Sequence, residues 1–210
     1  MNNFYGARGN YVANAGLGYY WAEDGTPGEA LAGWEQQSGS NPNANRLAVR
    51  PTPGGVHLTA LGLFTVSDES LKGREFSQIS DGTTNTAAVC ELRLVPGVDT
   101  RGAMHFGPAS LYVHDWPPNM GFQVRNEFNG LPVEDWTRYC DRTIAREISP
   151  CRPANAAWRG FWHHLARSYH PGGVNVAMAD ASTRFVSDDV DLAAWHALAT
   201  PDGQEIISDF

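Results

Sequence analysis

The sequence has few basic residues and no stretch in which they cluster. It carries 15 Lys and Arg against 23 Asp and Glu, which gives a formal net charge of -8 at pH 7. Because affinity for nucleic acids depends on clustered cations, this balance excludes nucleic acid as an expected partner. Only 18% of the residues are charged, whereas glycine and proline are numerous, at 22 and 13. This composition favours a turn-rich, mainly β or α+β protein over a helical bundle or a disordered chain.

Long hydrophobic runs are also missing. No stretch approaches the roughly 20 apolar residues that a membrane-spanning helix needs, and the N-terminus lacks the pattern of a signal peptide. The chain has 210 residues, of which 42% are hydrophobic, and this suffices for one domain with a substantial core. We therefore expect a single globular domain over residues 1–210, without a membrane segment.

Short motifs of common catalytic sites are absent as well. The sequence contains no Gly-x-Ser-x-Gly elbow, no His-Glu-x-x-His pair and no dinucleotide-binding fingerprint. A triad of His170, Asp180 and a serine is disfavoured, because the predicted strand between the first two would separate them by roughly 20 Å or more. Instead, we predict that His170 fixes the entry of a turn and that Asp180 bonds its own turn backbone. The expectation is a non-enzymatic protein without a cofactor.

One cation site stays open as an alternative. Asp188, Asp189 and Asp191 cluster in a loop and at the start of a predicted helix, and carboxylate oxygens are the ligands that Ca²⁺ prefers. The same residues are explained by capping of that helix, since aspartates favour the positive end of the helix dipole. We predict capping and keep calcium as the alternative.

The three cysteines leave two arrangements open. Cys140 and Cys151 flank a short polar segment and could close a small ring, or both could remain thiols. A bridge would stabilise the fold by about 3 kcal/mol and would indicate an oxidising, extracytoplasmic location. Cys90 lies in a candidate strand from Thr86 to Leu94, on the same face as Ala88 and Leu92, and is predicted to be a buried thiol.

The C-terminal part predicts a β-hairpin followed by a helix. Pro171-Gly172-Gly173 is typical of a turn, and Val174, Val176 and Met178 then alternate with smaller or polar residues. A second strand follows at Thr183–Val186, with Asp180-Ala181 near the tip. Because a positive φ is strained at Ala181, we expect a type I turn with one more residue in the loop. Ser187-Asp188-Asp189 is then predicted to cap a helix from about Asp189 to Ala199.

Three stretches resemble a prepilin-like family of unknown function that is expanded in planctomycetes. The C-terminal signature of that family is His, nine residues and Asp-Gly; His170 and Asp180 match it, and Ala181 replaces the glycine. Residues 8–16 resemble the Asn-Tyr motif of the family, and residues 79–86 resemble its Asp-Gly-Thr segment. The signature positions, to which the resemblance assigns no role, are Asn10, Tyr11, Asp81, Gly82, Asn85, His170, Gly172, Gly173 and Asp180.

The resemblance implies an α+β fold in which an antiparallel β-sheet carries long loops and few short helices. Such a domain is similar to the globular head of a type IV pilin or a type II secretion pseudopilin. Members of the family typically begin with a prepilin-type cleavage site and a long apolar helix, and this sequence starts beyond both. We therefore expect the head of an extracytoplasmic protein, at the cell surface or in the periplasm, whose missing helix would bind other pilin-like subunits.

The expected role is that of a structural or adhesive subunit of a surface filament or secretion system. The segments 22–45 and 101–158 are predicted to be long outward-facing loops, the second of them an insertion between two strands. An alternative from another class is a secreted module that binds a glycan or a small ligand, because exposed aromatic rings stack on sugar faces. The candidate rings lie in loop-like stretches at Trp21, Trp34, Trp116 and Trp136.

Overall fold

The computed structural model describes residues 7–17, 20–21, 62–64, 75–105, 107–121, 134–153, 161–162 and 164–203. Two short 3-10 helices span Phe76–Gln78 and Gly107–Ser110. No helix in these ranges is long and apolar enough to span a bilayer. In chain order, the strands and α-helices of the described residues are β1 (Tyr11–Asn14), β2 (Tyr20–Trp21), β3 (Ala87–Glu91), β4 (Leu111–Tyr112), β5 (Asp135–Thr137), α1 (Arg142–Ile148), β6 (Cys151–Pro153), β7 (Phe161–Trp162), β8 (Gly173–Met178), β9 (Thr183–Ser187) and α2 (Leu192–Ala197).

A five-stranded sheet in the order β4-β1-β3-β8-β9 organises the molecule. The pairs β1-β3, β3-β8 and β8-β9 are antiparallel, whereas β4 joins β1 in parallel. Two smaller pairs are β2-β7, which is antiparallel, and β5-β6, which is parallel. The predicted α+β class, with a mainly antiparallel sheet and few short helices, is confirmed, and the parallel pair of β4 and β1 makes the sheet mixed. A parallel neighbour needs a long connection, and the chain between β1 and β4 provides one.

One face of the sheet is covered by α2. Trp195 and Leu198, both fully buried, pack against Val12, Cys90 and Val176 in the main hydrophobic cluster. Cys90 is a free, buried thiol as predicted, and burial raises its pKa.

The inward face of β3 differs from the prediction at one position. A register shift between Ala87 and Val89 marks a bulge in β3, so Ala87 joins Cys90 and Leu92 in the core. Ala88, which strict alternation placed there, is only partly buried. A bulge adds one residue to one strand, and this breaks the period of two on which the prediction depends.

The region predicted as an outward-facing insertion contributes to the core. It supplies β4 to the central sheet, and Leu111, Val113 and Trp116 form a second buried cluster with Leu165. The description of residues 101–158 as surface decoration is therefore wrong for this part. The other predicted loop, residues 22–45, lies outside the described residues.

The last helix begins later than predicted. Asp191 Oδ1 accepts hydrogen bonds from the amides of Ala193 and Ala194, so Asp191 is the N-cap of α2. Ser187 Oγ instead accepts the Asp189 amide at the end of β9. Capping by an aspartate was predicted correctly, but the position was wrong because a turn at residues 188–189 separates the strand from the helix.

The hairpin between β8 and β9 closes on the pair Met178 and Ser182, so its loop has three residues, 179–181. The Ala181 amide donates to Met178 O, and the Met178 amide donates to Ser182 O. The additional loop residue was predicted, but the expectation that Ala181 avoids a positive φ is wrong, since its φ is 68°. Such a loop requires a left-handed residue in its last position, where the family signature has glycine.

Replacing Ala181 by glycine is therefore expected to stabilise the protein. A left-handed alanine costs about 1–2 kcal/mol, and the greater flexibility of the unfolded glycine chain offsets about 0.4–1 kcal/mol of the gain. We expect a net increase of about 0.5–1 kcal/mol in the free energy of unfolding, measured by urea titration. The matched control is Ala179→Gly in the same loop, where φ is not positive and the same change should destabilise. Equal effects of the two substitutions would contradict the assignment of strain to Ala181.

A disulfide joins Cys140 and Cys151, with the two Cα atoms 6.5 Å apart. The bridge encloses α1 and packs with Val95 and Ala145 in a small hydrophobic cluster. Asp141, next to the first cysteine, caps α1 by accepting the amides of Thr143 and Ile144. Because disulfides persist in oxidising compartments, the bridge indicates an extracytoplasmic protein.

Removing the bridge is expected to lower the free energy of unfolding by about 3 kcal/mol, because the closed loop no longer restricts the unfolded chain. The variant Cys140→Ser/Cys151→Ser, compared with the wild type in urea, measures this loss. A reducing agent should reproduce the loss in the wild type and should not affect the double variant. A reductant that destabilised both proteins equally would show that the bridge contributes nothing.

Candidate functional site

The signature histidine lies on a buried carboxylate at one end of the central sheet. His170 Nε2 is 3.1 Å from Glu91 Oε1, and the His170 side chain is 53% exposed while that of Glu91 is 7% exposed. His170 belongs to the turn before β8, whereas Glu91 is the last residue of β3. The contact therefore joins the turn to the sheet.

Glu91 also binds the two neighbouring strands. The hydroxyl group of Tyr11, in β1, donates to Glu91 Oε1 at 3.4 Å. Glu91 Oε2 accepts the backbone amide of Asn175, in β8, at 2.7 Å and the Asn175 side-chain amide at 3.3 Å. We call Tyr11, Glu91, His170 and Asn175 the Glu91 cluster. The negative charge of Glu91, followed by burial, raises the pKa of Tyr11.

Glu91 was not singled out from the sequence. Its only signal is a single acidic residue after the apolar run 87–90, within the predicted strand from Thr86 to Leu94. Because side chains alternate along a strand and Cys90 was predicted to face the core, such a residue is usually interpreted as facing solvent. Its burial follows from the approach of the turn before β8, where the Arg167 amide donates to Glu91 O at 2.9 Å.

The turn that carries His170 depends on its glycines. Gly172 has a φ of +80°, and a Cβ added to Gly173 would lie 2.2 Å from Val186 O and 2.7 Å from Phe185 Cε1. Ser168 Oγ donates to Gly173 O at 2.6 Å and accepts the His170 amide at 3.0 Å. The Pro-Gly-Gly segment thus positions His170 through backbone geometry that other residues could not adopt without strain.

The second signature segment holds the opposite end of the sheet. Gly82 has a φ of +93°, and the Asn85 side-chain amide donates to Asp81 O at 3.2 Å within this turn. Asp81 Oδ2 accepts the Gly203 amide at 2.7 Å, which anchors the chain after α2. The Asp180 amide donates to Thr83 O at 3.1 Å, so the tip of the hairpin adjoins this turn.

The third segment, around β1, contacts both ends of the sheet. At one end, Asn10 O accepts the Leu92 amide at 2.8 Å, next to Tyr11 in the Glu91 cluster. At the other end, the buried Asn14 side chain donates to Ala87 O and Ala199 O, each at 2.8 Å. Asn14 was part of the quoted motif but was not predicted as a signature position.

The spacing of the C-terminal signature corresponds to the length of β8. His170 precedes this strand and bonds Glu91, whereas Asp180 follows it and accepts the Ser182 hydroxyl at 2.6 Å and the Ser182 amide at 2.9 Å. These hydrogen bonds from Ser182 lower the pKa of Asp180. The structure therefore keeps His170 and Asp180 apart, and it gives each a bonding partner within its own turn or neighbouring strand.

The acidic residues before α2 have other partners than a cation. Asp188 Oδ1 accepts the Asn119 side-chain amide at 2.7 Å, and Asp191 caps the helix. Among the residues that the structure describes, no group of three or more His, Cys, Asp or Glu side chains could hold a metal ion. The calcium alternative at Asp188, Asp189 and Asp191 thus has no ligand cluster in this part of the chain.

Two of the four candidate tryptophans have described side chains, and neither of these is fully exposed. Trp116 is only 4% exposed and lies in the second hydrophobic cluster, so its assignment to an exposed loop is wrong. Trp136 is partly buried, with the Arg152 guanidinium 5.3 Å from its ring centroid. Trp34 lies outside the described residues, and of Trp21 only the backbone, in β2, is described.

A buried ionic network that includes Asp135 of β5 was also not predicted from the sequence. Arg101 contacts Asp99 at 2.7 Å and Asp135 at 2.6 Å, and Arg167 contacts Asp135 at 3.2 Å, with all four side chains at most 3% exposed. Arg167 also donates to Met120 O. No spacing in the sequence indicates these contacts, because they join residues from three separate segments.

Comparison with known proteins identifies one family. The profile of the family described as "protein of unknown function (DUF1559)" matches residues 8–193, which include all three signature segments. Neither the curated proteins nor the solved structures contain a significant match. The chain therefore belongs to this prepilin-type family of unknown function, which carries the C-terminal signature of His, nine residues and Asp-Gly.

Proposed function

We propose that the chain is the globular head of a non-enzymatic, pilin-like or pseudopilin-like protein of the cell envelope. Its role is that of a structural or adhesive subunit in a surface filament or secretion system. The observation that carries the proposal is that residues of the family signatures bond the ends of the central sheet. His170, Asp81 and Asp180 each hold an end of the central sheet, and each is engaged with the chain itself rather than placed in a common cleft.

The disulfide supports this proposal independently of the family. It stabilises the part of the chain around α1, and it forms in the compartments that an exported head would reach. A small covalently closed segment suits a subunit that must persist outside the cell. The partners in this proposal are other pilin-like subunits, bound through an N-terminal apolar helix of the kind that the family carries.

Localisation and processing in cells test the proposal. The protein is tagged at its C-terminus at the native locus, and intact cells are treated with a protease. We expect the tag to be removed from the surface, and we expect N-terminal sequencing to show cleavage at a prepilin-type site. Chemical cross-linking should yield a ladder of higher species that contain other pilin-like subunits.

The state of the cysteines provides the matched control. The wild type should migrate faster on a non-reducing gel than the Cys140→Ser/Cys151→Ser variant, and reduction should abolish the difference. A cytoplasmic marker must stay protected during the protease treatment. A protein that stays inside intact cells with two free thiols, or that is exported without any prepilin-type processing, would contradict the proposal.

A further inference from the structure

A row of side chains crosses the sheet on the face opposite α2. Tyr11 in β1 pairs with Glu91 in β3, and Asn175 in β8 pairs with Phe185 in β9. The hydrogen bonds from Asn175 to Glu91 join the two pairs into one row. The row thus has an aromatic ring at each end and polar groups between them. We call these four residues, together with His170, the sheet-face row.

The two end rings are exposed, although each is fixed by a neighbour. Tyr11 is 49% exposed and bonds Glu91 through its hydroxyl group. Phe185 is 55% exposed, and its ring lies against the backbone of Gly173, where an added Cβ would approach Cε1 and Cζ to 2.7 and 2.8 Å. Three strand spacings of about 4.8 Å place the rings on the order of 14 Å apart.

The middle of the row offers polar atoms in fixed positions. Glu91 orients the half-exposed imidazole of His170 and the hydroxyl group of Tyr11, because both bond Glu91 Oε1. Asn175 is held beside them by the other carboxylate oxygen. A ligand that lies across the row would therefore contact an apolar ring, a set of hydrogen-bonding groups and a second apolar ring.

We propose that the sheet-face row binds a neutral oligosaccharide. A pyranose ring has one face of C–H groups, which stacks on an aromatic side chain, and a rim of hydroxyl groups, which bond imidazole, phenol and amide groups. Binding sites of this kind combine apolar walls with a few positioned polar groups. The formal charge of -8 disfavours acidic polysaccharides. A protein partner would favour a continuous apolar face, whereas this row is polar at its centre.

This inference goes beyond the proposed function, because binding by the sheet-face row does not depend on filament assembly. It also replaces the loop tryptophans with other residues as the aromatic contacts. The test of this inference uses the purified 210-residue chain, whereas the test of the proposed function uses cells. A negative result in one test therefore does not decide the other.

Calorimetric titration with cellohexaose, chitohexaose, xylohexaose and mannohexaose tests the inference. We expect at least one of these probes to bind, and we expect Tyr11→Ala and Phe185→Ala each to weaken that binding about tenfold or more. The matched control is Phe76→Ala, since Phe76 is 75% exposed and lies outside the row. Its affinity should equal that of the wild type. Thermal unfolding of each variant verifies that it is folded.

Three results would overturn the inference. The first is the absence of heat with all four probes. The second is unchanged affinity in folded Tyr11→Ala and Phe185→Ala variants, which would place the ligand elsewhere. The third is an equal loss in Phe76→Ala, which would indicate non-specific adsorption to exposed rings.

Discussion

Replacing Asp135 by asparagine is expected to lower the free energy of unfolding by about 3–5 kcal/mol, the usual loss when one partner of a buried ion pair is removed. Asp135 is fully buried, and its carboxylate accepts Arg101 Nη1 at 2.6 Å and Arg167 Nε at 3.2 Å. Asparagine keeps the shape but removes the charge, so Arg101 would keep only the carboxylate of Asp99, and the buried Arg167 would lose the carboxylate that it contacts. Urea unfolding measures the loss.

The pKa of Asp135 agrees with this dependence on charge. Burial alone would raise the pKa, but the positive charges of Arg167 and Arg101 outweigh burial and hold it well below the ordinary value of 3.8. The carboxylate is therefore ionised in the folded protein at neutral pH, and its contribution to stability is lost as the pH falls below the unfolded value.

Two variants separate the ion network from a general effect of the substitution. Asp180→Asn makes the same chemical change at an exposed aspartate whose carboxylate bonds Ser182 in its own loop, and it should cost far less than Asp135→Asn. The double variant Asp135→Asn/Arg167→Met should be less destabilised than the sum of the single variants, since it also removes an unpaired charge. If Asp135→Asn were as mild as Asp180→Asn, the network would not stabilise the fold.

The network also shows what could not be predicted from the sequence. Arg101 and Asp135 occur in stretches whose polar composition is typical of exposed loops, and charged residues are rarely fully buried. Their burial depends on contacts between residues 34 positions apart, for which a single sequence has no periodic signal. The same holds for Glu91, whose burial results from the turn before β8, and for the parallel pairing of β4 with β1.

What could be predicted was local. The hairpin and the helix after it depend on residues close in sequence, where turn chemistry and alternation act directly, whereas the spacing of Cys140 and Cys151 allowed a bridge without deciding between a bridge and two thiols. Even there, the prediction was wrong at single positions. The bulge after Ala87 interrupts the two-residue alternation of β3, and Ala181 adopts a strained positive φ. The signature positions were found by resemblance, but their roles at the two ends of β8 required the fold.

The stability of the protein is expected to fall steeply as the pH decreases from 6.5 toward 3, and His114 is the expected source of a large part of this loss. The ring is fully buried, with Nε2 2.8 Å from Tyr112 Oη and Nδ1 3.0 Å from Trp195 O. Burial, with a smaller contribution from the positive charge of His196, lowers the pKa of His114 from 6.5 to about 3. The carbonyl of Trp195 and the charge of Asp115 oppose this shift only in part.

The direction of this pH dependence follows from the pKa of His114, which is 6.5 in the unfolded chain and about 3 in the folded chain. Between pH 6.5 and about 3 the unfolded chain binds a proton at His114 and the folded chain does not, so acidification favours unfolding. One such proton corresponds to about 1.4 kcal/mol per pH unit, and over the whole interval to a loss on the order of 4–5 kcal/mol. Above pH 6.5 the contribution is fully present and does not change further.

The variant His114→Gln isolates this contribution, because glutamine can still bond the two partners but cannot take up the proton. Carboxylates such as Asp135 titrate in the wild type and in the variant alike, so the measured quantity is the difference between their slopes of unfolding free energy against pH. We expect the slope of the variant to be smaller by about 1.4 kcal/mol per pH unit between pH 6 and 4. His105→Gln, which makes the same substitution at an exposed histidine, is the control. Equal slopes for the wild type and His114→Gln would mean that the histidine is protonated in the folded state, and that the hydrogen bonds to Tyr112 and Trp195 do not hold it neutral.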